Sequence, residues 1–507
     1  MRRLLGAVGV FLIAMAPPAL SQIDFLYPDG IASGDVTPTT AVLWTRRQSE
    51  IPVTVEVAAD RTFSLPVFTA TVTPAAERGG VVKFTASGLT PATHYFYRFT
   101  LDGTLASETG TFTTAPAEEA AADLRLAFSG DADGTHVGGR PVHSFVLLDA
   151  VAGDRPELFV FLGDTVYADS PLAPRPASTL EQYRAKYRES RSIPGLQRLL
   201  RTIPVVAIWD DHEVQNDFDR ETVSPARFAV AHRAFVEAWP VGEQPDGRLY
   251  RSFRWGREVE LFILDLRSYR SRQASKTRAC DNPPEDRVPD LAPTLSPALR
   301  ARFALLIGQF GRPVPPACLT ALADSGRTLL GPAQKLWLKE GLRRSEATWK
   351  FVFSQVPMQE FFALPYDRWE GYAAERAEIL DFIRANKIAN VVWLSADTHA
   401  VLINDVRFST FAPSAETGMK EVVVGPIATT PFGAEVAEAV GPLVPAAFAA
   451  FLLAAPPRGL GAECVVLDRF TYAMVEVRSQ TRTVTITPKD AAGRPVCRAP
   501  LMLRAAP

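Results

Sequence analysis

Between residues 22 and 116 apolar and polar positions alternate with a period of two, the pattern of half-buried strands separated by turn residues. Ala41-Val42-Leu43-Trp44-Thr45 and Val53-Thr54-Val55-Glu56-Val57 predict two of them. After Pro91 the run His94-Tyr95-Phe96-Tyr97-Arg98-Phe99 alternates strictly and predicts a third. A tyrosine two residues into such a strand can fold its hydroxyl back on the preceding turn, the tyrosine corner of sandwich domains. Thr111-Phe112-Thr113-Thr114 closes the unit, and a linker rich in Ala, Pro and Glu follows over 115–122. These residues predict an N-terminal β-sandwich.

Beyond the linker short apolar runs alternate with helical spacing, which predicts an α/β domain over 117–507. Buried strands are expected at 124–128, 158–162, 203–209, 259–264, 350–353 and 391–394. Helices are expected over 179–190 and 331–345, the second opening with Pro332 where a missing N–H costs nothing. Residues 271–330 are proline-rich, hold a cysteine pair and read as an insertion. The apolar stretch 439–455 contains Pro442 and Pro445 and is too short to span a bilayer. It predicts a buried helix after those prolines, with a lid over a lipid-like substrate as the alternative. Apolar β-prone runs in 464–503 should add strands to the catalytic domain.

Composition narrows the class. A chain of 507 residues, 47% hydrophobic and 22% charged, is a folded protein of more than one domain. Its formal net charge of −2 implies no polyanion-binding face. Arg2 and Arg3, an apolar run over 4–15 and Ala19-Leu20-Ser21 predict a signal peptide over 1–21, hence export to the periplasm or the medium. The leader leaves both the general and the twin-arginine export routes open. No transmembrane anchor is expected in the mature chain. In an oxidising compartment four separated cysteines predict disulfides, with three pairings possible. Proximity favours Cys280 with Cys318 and Cys464 with Cys497.

Four predicted strands run into metal-type ligands. The tips read Ser129-Gly130-Asp131-Ala132-Asp133, Gly163-Asp164-Thr165-Val166-Tyr167-Ala168-Asp169, Asp210-Asp211-His212-Glu213 and Ser395-Ala396-Asp397-Thr398-His399. Ligands collect beyond the carboxyl ends of strands in α/β sheets, so the four tips should converge. Such a cluster would repel itself without a cation. Two cations bridged by one carboxylate turn it into a clamp on phosphoryl oxygens and lower the pKa of a bridging water. Carboxylate, phenolate and imidazole donors suit hard or borderline metals.

Taken with Gly30-Ile31-Ala32-Ser33-Gly34-Asp35-Val36, Leu264-Asp265-Leu266-Arg267-Ser268-Tyr269-Arg270, Leu330-Gly331, Gln334 and Trp337-Leu338, these motifs resemble the alkaline phosphatase D (PhoD-like) branch of the calcineurin-like metallophosphoesterases. The resemblance implies a fibronectin-III-like sandwich over 22–116, followed by a four-layer αββα metallophosphoesterase domain. It implies hydrolysis of phosphodiesters and phosphomonoesters at a dinuclear or trinuclear site of iron–calcium type, Fe3+ with Ca2+. By motif, Asp164 resembles the bridging carboxylate, and Asp131, Tyr167 and His399 the shell of the iron. Asp211 and Asp397 resemble ligands of the calcium-like metal. His212 resembles the histidine on phosphate or the leaving group, and Asn216 a more distant helper. Arg267 is expected as a phosphate clamp, with a core salt bridge to Asp265 or Glu260 as the alternative. Many members of this branch carry a cysteine where Asp131 stands; a carboxylate there hardens the site and admits other divalent metals. Small phosphate esters are the expected substrates. A phospholipase D-like headgroup hydrolase and a non-catalytic metal-binding adhesion protein are the competing readings.

Overall fold

The computed structural model describes residues 26–103, 105–411 and 416–506, so the expected signal peptide lies outside the described residues. The strand tips are ordered by two stacked sheets. One has nine strands, in the order Leu501–Arg504, Thr483–Asp490, Thr471–Arg478, Leu124–Ser129, Leu158–Leu162, Val205–Ile208, Ile31–Gly34, Ala41–Arg46 and Val81–Ala86. The other has seven, in the order Arg251–Trp255, Val259–Ile263, Trp349–Ser354, Val391–Ser395, Glu416–Val423, Val401–Arg407 and Cys464–Val466. At the centre of each sheet the pairing is parallel: Leu158–Leu162 lies between Leu124–Ser129 and Val205–Ile208, and Trp349–Ser354 between Val259–Ile263 and Val391–Ser395.

Leu158–Leu162 and Val205–Ile208 are apolar throughout because both of their faces are covered. Between the sheets Phe128 meets Phe353 edge-to-face at 5.7 Å. Outside the first sheet lie the helices Val146–Asp154, Leu180–Arg191, Pro194–Thr202 and Pro225–Ala238, whose Leu148, Tyr183, Leu199 and Phe235 share one core with the strands. Outside the second, Gly331–Arg344 and Ala373–Ala385 bury Leu338, Leu342, Ile379 and Leu380 against Phe262, Val352 and Trp393. The result is the αββα stack. Leu180–Arg191 is opened by a capping box in which Thr179 and Gln182 bond reciprocally.

The N-terminal strands form a sandwich in which Val53–Ala58, His94–Leu101 and their neighbours make one five-stranded sheet. Tyr95 accepts a hydrogen bond from the Thr90 N–H at 2.9 Å, the tyrosine corner. The opposing strands are not separate: Ile31–Gly34 pairs in parallel with Val205–Ile208, so the sandwich donates three strands to the nine-stranded sheet. Asp35 then takes a bidentate hydrogen bond from Arg251 (2.8 and 3.0 Å), tying this segment to the second sheet.

Both disulfides, Cys280–Cys318 and Cys464–Cys497, are formed. The first staples residues 271–330, which hold only short helical pieces. The second ties the edge of the seven-stranded sheet to the C-terminal tail. The stretch 439–455 departs from expectation. Two helices, Phe432–Val440 and Val444–Leu453, occupy this region, and Pro445 lies inside the first turn of the second. That helix is buried on one side only, through Val444, Phe451 and Leu452, whereas Ala446, Ala450 and Leu453 face solvent. It packs between the stapled insertion and the edge of the seven-stranded sheet, where Phe451 and Leu452 share a cluster with Leu295, Phe310, Leu402 and Val423. Among the described residues no helix is long and apolar enough to cross a membrane.

Candidate metal centre and active site

The four tips meet at the carboxyl ends of the central strands, three from the nine-stranded sheet and one from the seven-stranded. The turn after Leu158–Leu162 needs Gly163, at φ +85, because a Cβ there would stand 2.5 Å from Asp210 Cβ. Four expected ligands also sit in the left-handed region: Asp131 (φ 65), Asp164 (49), Asp397 (60) and His399 (51). Such backbone is found where the surrounding structure over-determines it, and aspartate and histidine tolerate it better than most residues.

Donor atoms cluster in overlapping groups. Asp131, Asp164 and His399 offer atoms within 4.8 Å of one another, as do Asp164, Asp211 and His212, and also Asp210, Asp211 and Asp397. Asp164 belongs to the first two groups and Asp211 to the last two. Tyr167 places its hydroxyl 3.2 Å from His399 Nε2 and stacks its ring on His212 at 4.0 Å. A cavity of about 700 Å³ exposes this cluster and is lined by Asp164, Tyr167, Asp211, His212, Asp397 and His399 among others.

The electrostatics call for positive charge. Asp131 Oδ2 and Asp211 Oδ1 are buried with no hydrogen-bond partner. Burial, with neighbouring carboxylates, pushes the Asp131 carboxyl up to about 7 even against the attraction of His399. Burial and the carboxylates of Asp211 and Asp210 drive Asp164 well above the usual range, and burial with Asp210 and Asp367 does the same to Asp397. Asp211 alone is held low, since Arg267 and His212 outweigh its burial. A buried carboxylate with an orphaned oxygen and a suppressed charge is the state that a bound cation relieves, so the residues fit metal ions.

Both histidines are oriented from behind. His399 Nδ1 meets Glu435 Oε1 at 2.8 Å and the Thr430 carbonyl at 2.9 Å, which turns Nε2 into the cluster. His212 Nδ1 meets Asp169 Oδ1 at 2.6 Å, leaving Nε2 4.0 Å from Asp164 Oδ2. Burial would lower the His212 pKa, but Asp211, Asp169 and Glu213 together raise it to about 9.

Arg267 has no exposed side-chain surface. Its Nε and Nη2 grip Asp210, Nη1 meets Asp367 at 2.8 Å and Nη2 meets Asp397 at 3.2 Å. Its guanidinium therefore pairs with neither Asp265 nor Glu260, although the Arg267 backbone N–H donates to Asp265 Oδ1 at 3.2 Å. Asn216 donates its backbone N–H to Asp169 Oδ2 at 2.6 Å, while its side-chain amide turns to Asp217. The run Asp210-Asp211-His212-Glu213 divides its labour. Asp210 neutralises Arg267, Asp211 and His212 face the cavity, and Glu213 accepts from Thr165 N–H and Oγ1 (both 2.6 Å) and from Asp210 N–H (2.9 Å), joining two tips. Asp169 and Asp210 lay within the motifs and could have been assigned from them. Glu435 and Asp367 carried no local signal, since an α-helix and a 3-10 turn remote in sequence bring them in.

The model for the PhoD-like phosphatase family matches residues 138–483, and that for its N-terminal domain matches 14–116. The chain belongs to the PhoD-like phosphatase family. As a PhoD-like phosphatase it is a phosphoric ester hydrolase. It is 27% identical to alkaline phosphatase D of Bacillus subtilis (strain 168) over 442 residues, which cover 78% of this chain and 67% of that relative. Its fold is similar to the solved structure of PhoD, with a TM-score of 0.72 and 23% identity over 95% of this chain and 93% of that one. It also resembles the purple acid phosphatase PPD1 from yellow lupin seeds, with a TM-score of 0.57 and 10% identity over 94% and 75% of the two chains. This PhoD-like phosphatase thus pairs an N-terminal β domain with a mixed α/β metallophosphoesterase domain.

Proposed function

We propose that the protein is an exported, metal-dependent hydrolase of phosphodiesters and phosphomonoesters. The reading rests on Asp164, whose carboxylate is shared by two donor groups that each contain a buried oxygen without a partner. In it Asp164 would be shared between two cations, Asp131, Tyr167 and His399 would hold one of them, and Asp211 and Asp397 the other. The donor set is all oxygen and nitrogen, which suits an iron–calcium pairing and excludes a thiolate site at this position. Such cations, when bound, act as Lewis acids on phosphoryl oxygens and supply a nucleophile at neutral pH.

The chain's own residues do the rest. Asp169 holds His212 with Nε2 toward the cavity, where the imidazolium can hydrogen-bond a phosphoryl or leaving oxygen. Glu435 fixes the orientation of His399. Arg267 bonds Asp210, Asp367 and Asp397 together and so holds the Asp397 carboxyl in place. In the net reaction a water oxygen forms the new bond to phosphorus and the ester P–O bond breaks; the alcohol departs with a proton that His212 is placed to supply, and the proton released by the water restores His212. Two disulfides suit an oxidising compartment. The test is Asp164→Asn, with metal content and aryl phosphate turnover measured together. Loss of metal with an unchanged fold is expected; full metal content with near-normal turnover refutes the bridging role.

A further inference from the structure

Beside the metal cluster lies a second, different space. It is a cavity of about 130 Å³, and every side chain lining it is apolar, seven of them phenylalanine. Its walls come from the stapled insertion, from the loop carrying Phe361 to Leu364, and from the two helices Phe432–Val440 and Val444–Leu453.

Three observations tie it to the reaction. The helix Phe432–Val440 is a shared wall: Phe432 and Val436 line the apolar cavity, while Glu435 between them hydrogen-bonds His399. Leu364, 46% exposed, lines both the apolar cavity and the catalytic one. Phe362 and Leu364 are held at φ 64 and 49, backbone that bulky side chains avoid unless their placement is imposed. This strain occurs where the two cavities adjoin.

We infer that this cavity is a substituent subsite, seating an apolar group of about six carbons carried by the phosphate ester whose phosphoryl group sits on the metal cluster. The inference rests on the phosphoester reading above. The size follows from the volume, since an apolar cavity of roughly 150 Å³ is filled by one benzene. An all-apolar lining strips no polar group of its partner, so the transfer free energy of each methylene that enters is not offset by polar desolvation.

The test is calorimetric titration of the metal-loaded protein with n-alkylphosphonates from methyl to decyl, run beside turnover of p-nitrophenyl phosphate. At about twofold per methylene, roughly half the full transfer term, hexylphosphonate should bind on the order of 30-fold more tightly than methylphosphonate. The gain should then level off towards decyl. Ala447→Phe, which fills the cavity, should abolish the difference between hexyl and methyl. A flat series in the unaltered protein overturns the inference, as does an unbroken gain through decyl, which would mean an open apolar surface and not a cavity. A filled variant that keeps the full difference also overturns it. Turnover decides the phosphoester reading separately, because the titration needs none.

Discussion

Replacing Arg267 by methionine separates two roles that the position could serve. The side chain has 0% exposure and faces four carboxylates, with Asp210 gripped by two nitrogens, Asp367 and Asp397 within hydrogen-bond distance, and Asp211 at 3.7 Å. Methionine fills similar volume but leaves these carboxylates without their cation. Breaking a buried pair by removing one partner costs about 3–5 kcal/mol, because an uncompensated charge stays behind. Asp210, already raised to about 6 by burial despite Arg267, would go higher and take up a proton. The expected outcome is therefore a loss of about 3–5 kcal/mol in unfolding free energy, with kcat falling as Asp397 loses its anchor. Arg267→Lys should recover part of this, since one ammonium cannot reproduce the planar fork on Asp210. The assay is urea unfolding read by tryptophan fluorescence, since Trp209 is fully buried beside Asp210 and bonds Asp265 at 3.0 Å. Metal-stripped and metal-loaded protein are compared. If stability is unchanged within about 0.5 kcal/mol while KM alone rises tenfold or more, Arg267 contacts phosphate and the assignment is wrong.

Asp169→Asn removes the charge that helps hold His212 protonated, so the alkaline limb of the kcat profile should move down by about one pH unit or more; an unmoved limb rejects His212 as the acid. In the metal-free protein the raised His212 pKa contributes stability that is complete below about 6.5 and lost as pH rises through about 9, and urea unfolding at both ends checks that sign. Tyr167→Phe should bleach any visible charge-transfer band of the loaded protein, as expected of a phenolate on ferric iron. An iron-free, active enzyme with an unaltered spectrum would end that ligand assignment. Denatured, unreduced protein should show no titratable thiol and, after reduction, four.

Much of the site is local in origin, which is why the sequence reveals it. A run such as Leu158 to Leu162 is apolar because both its faces are covered, and Asp164 follows it because the tip is where backbone pairing ends. The order of runs and tips thus determines that ligands gather at one end of the strands. The cysteine pairs are equally local, each closing a short loop. What the sequence could not settle are contacts between segments that share no periodicity. Nothing in the sequence of Ile31–Gly34 says that its partner is Val205–Ile208, since backbone hydrogen bonds carry no residue identity. Arg267 could pair with any nearby carboxylate; only the stacking of the two sheets sets Asp210, Asp367 and Asp397 around it. Glu435 and Asp367 sit on an α-helix and in a short 3-10 turn whose positions are decided by packing remote from the motifs. The apolar cavity is likewise a property of the fold alone, because it exists only where an insertion, a loop and two helices stop short of filling the space between them.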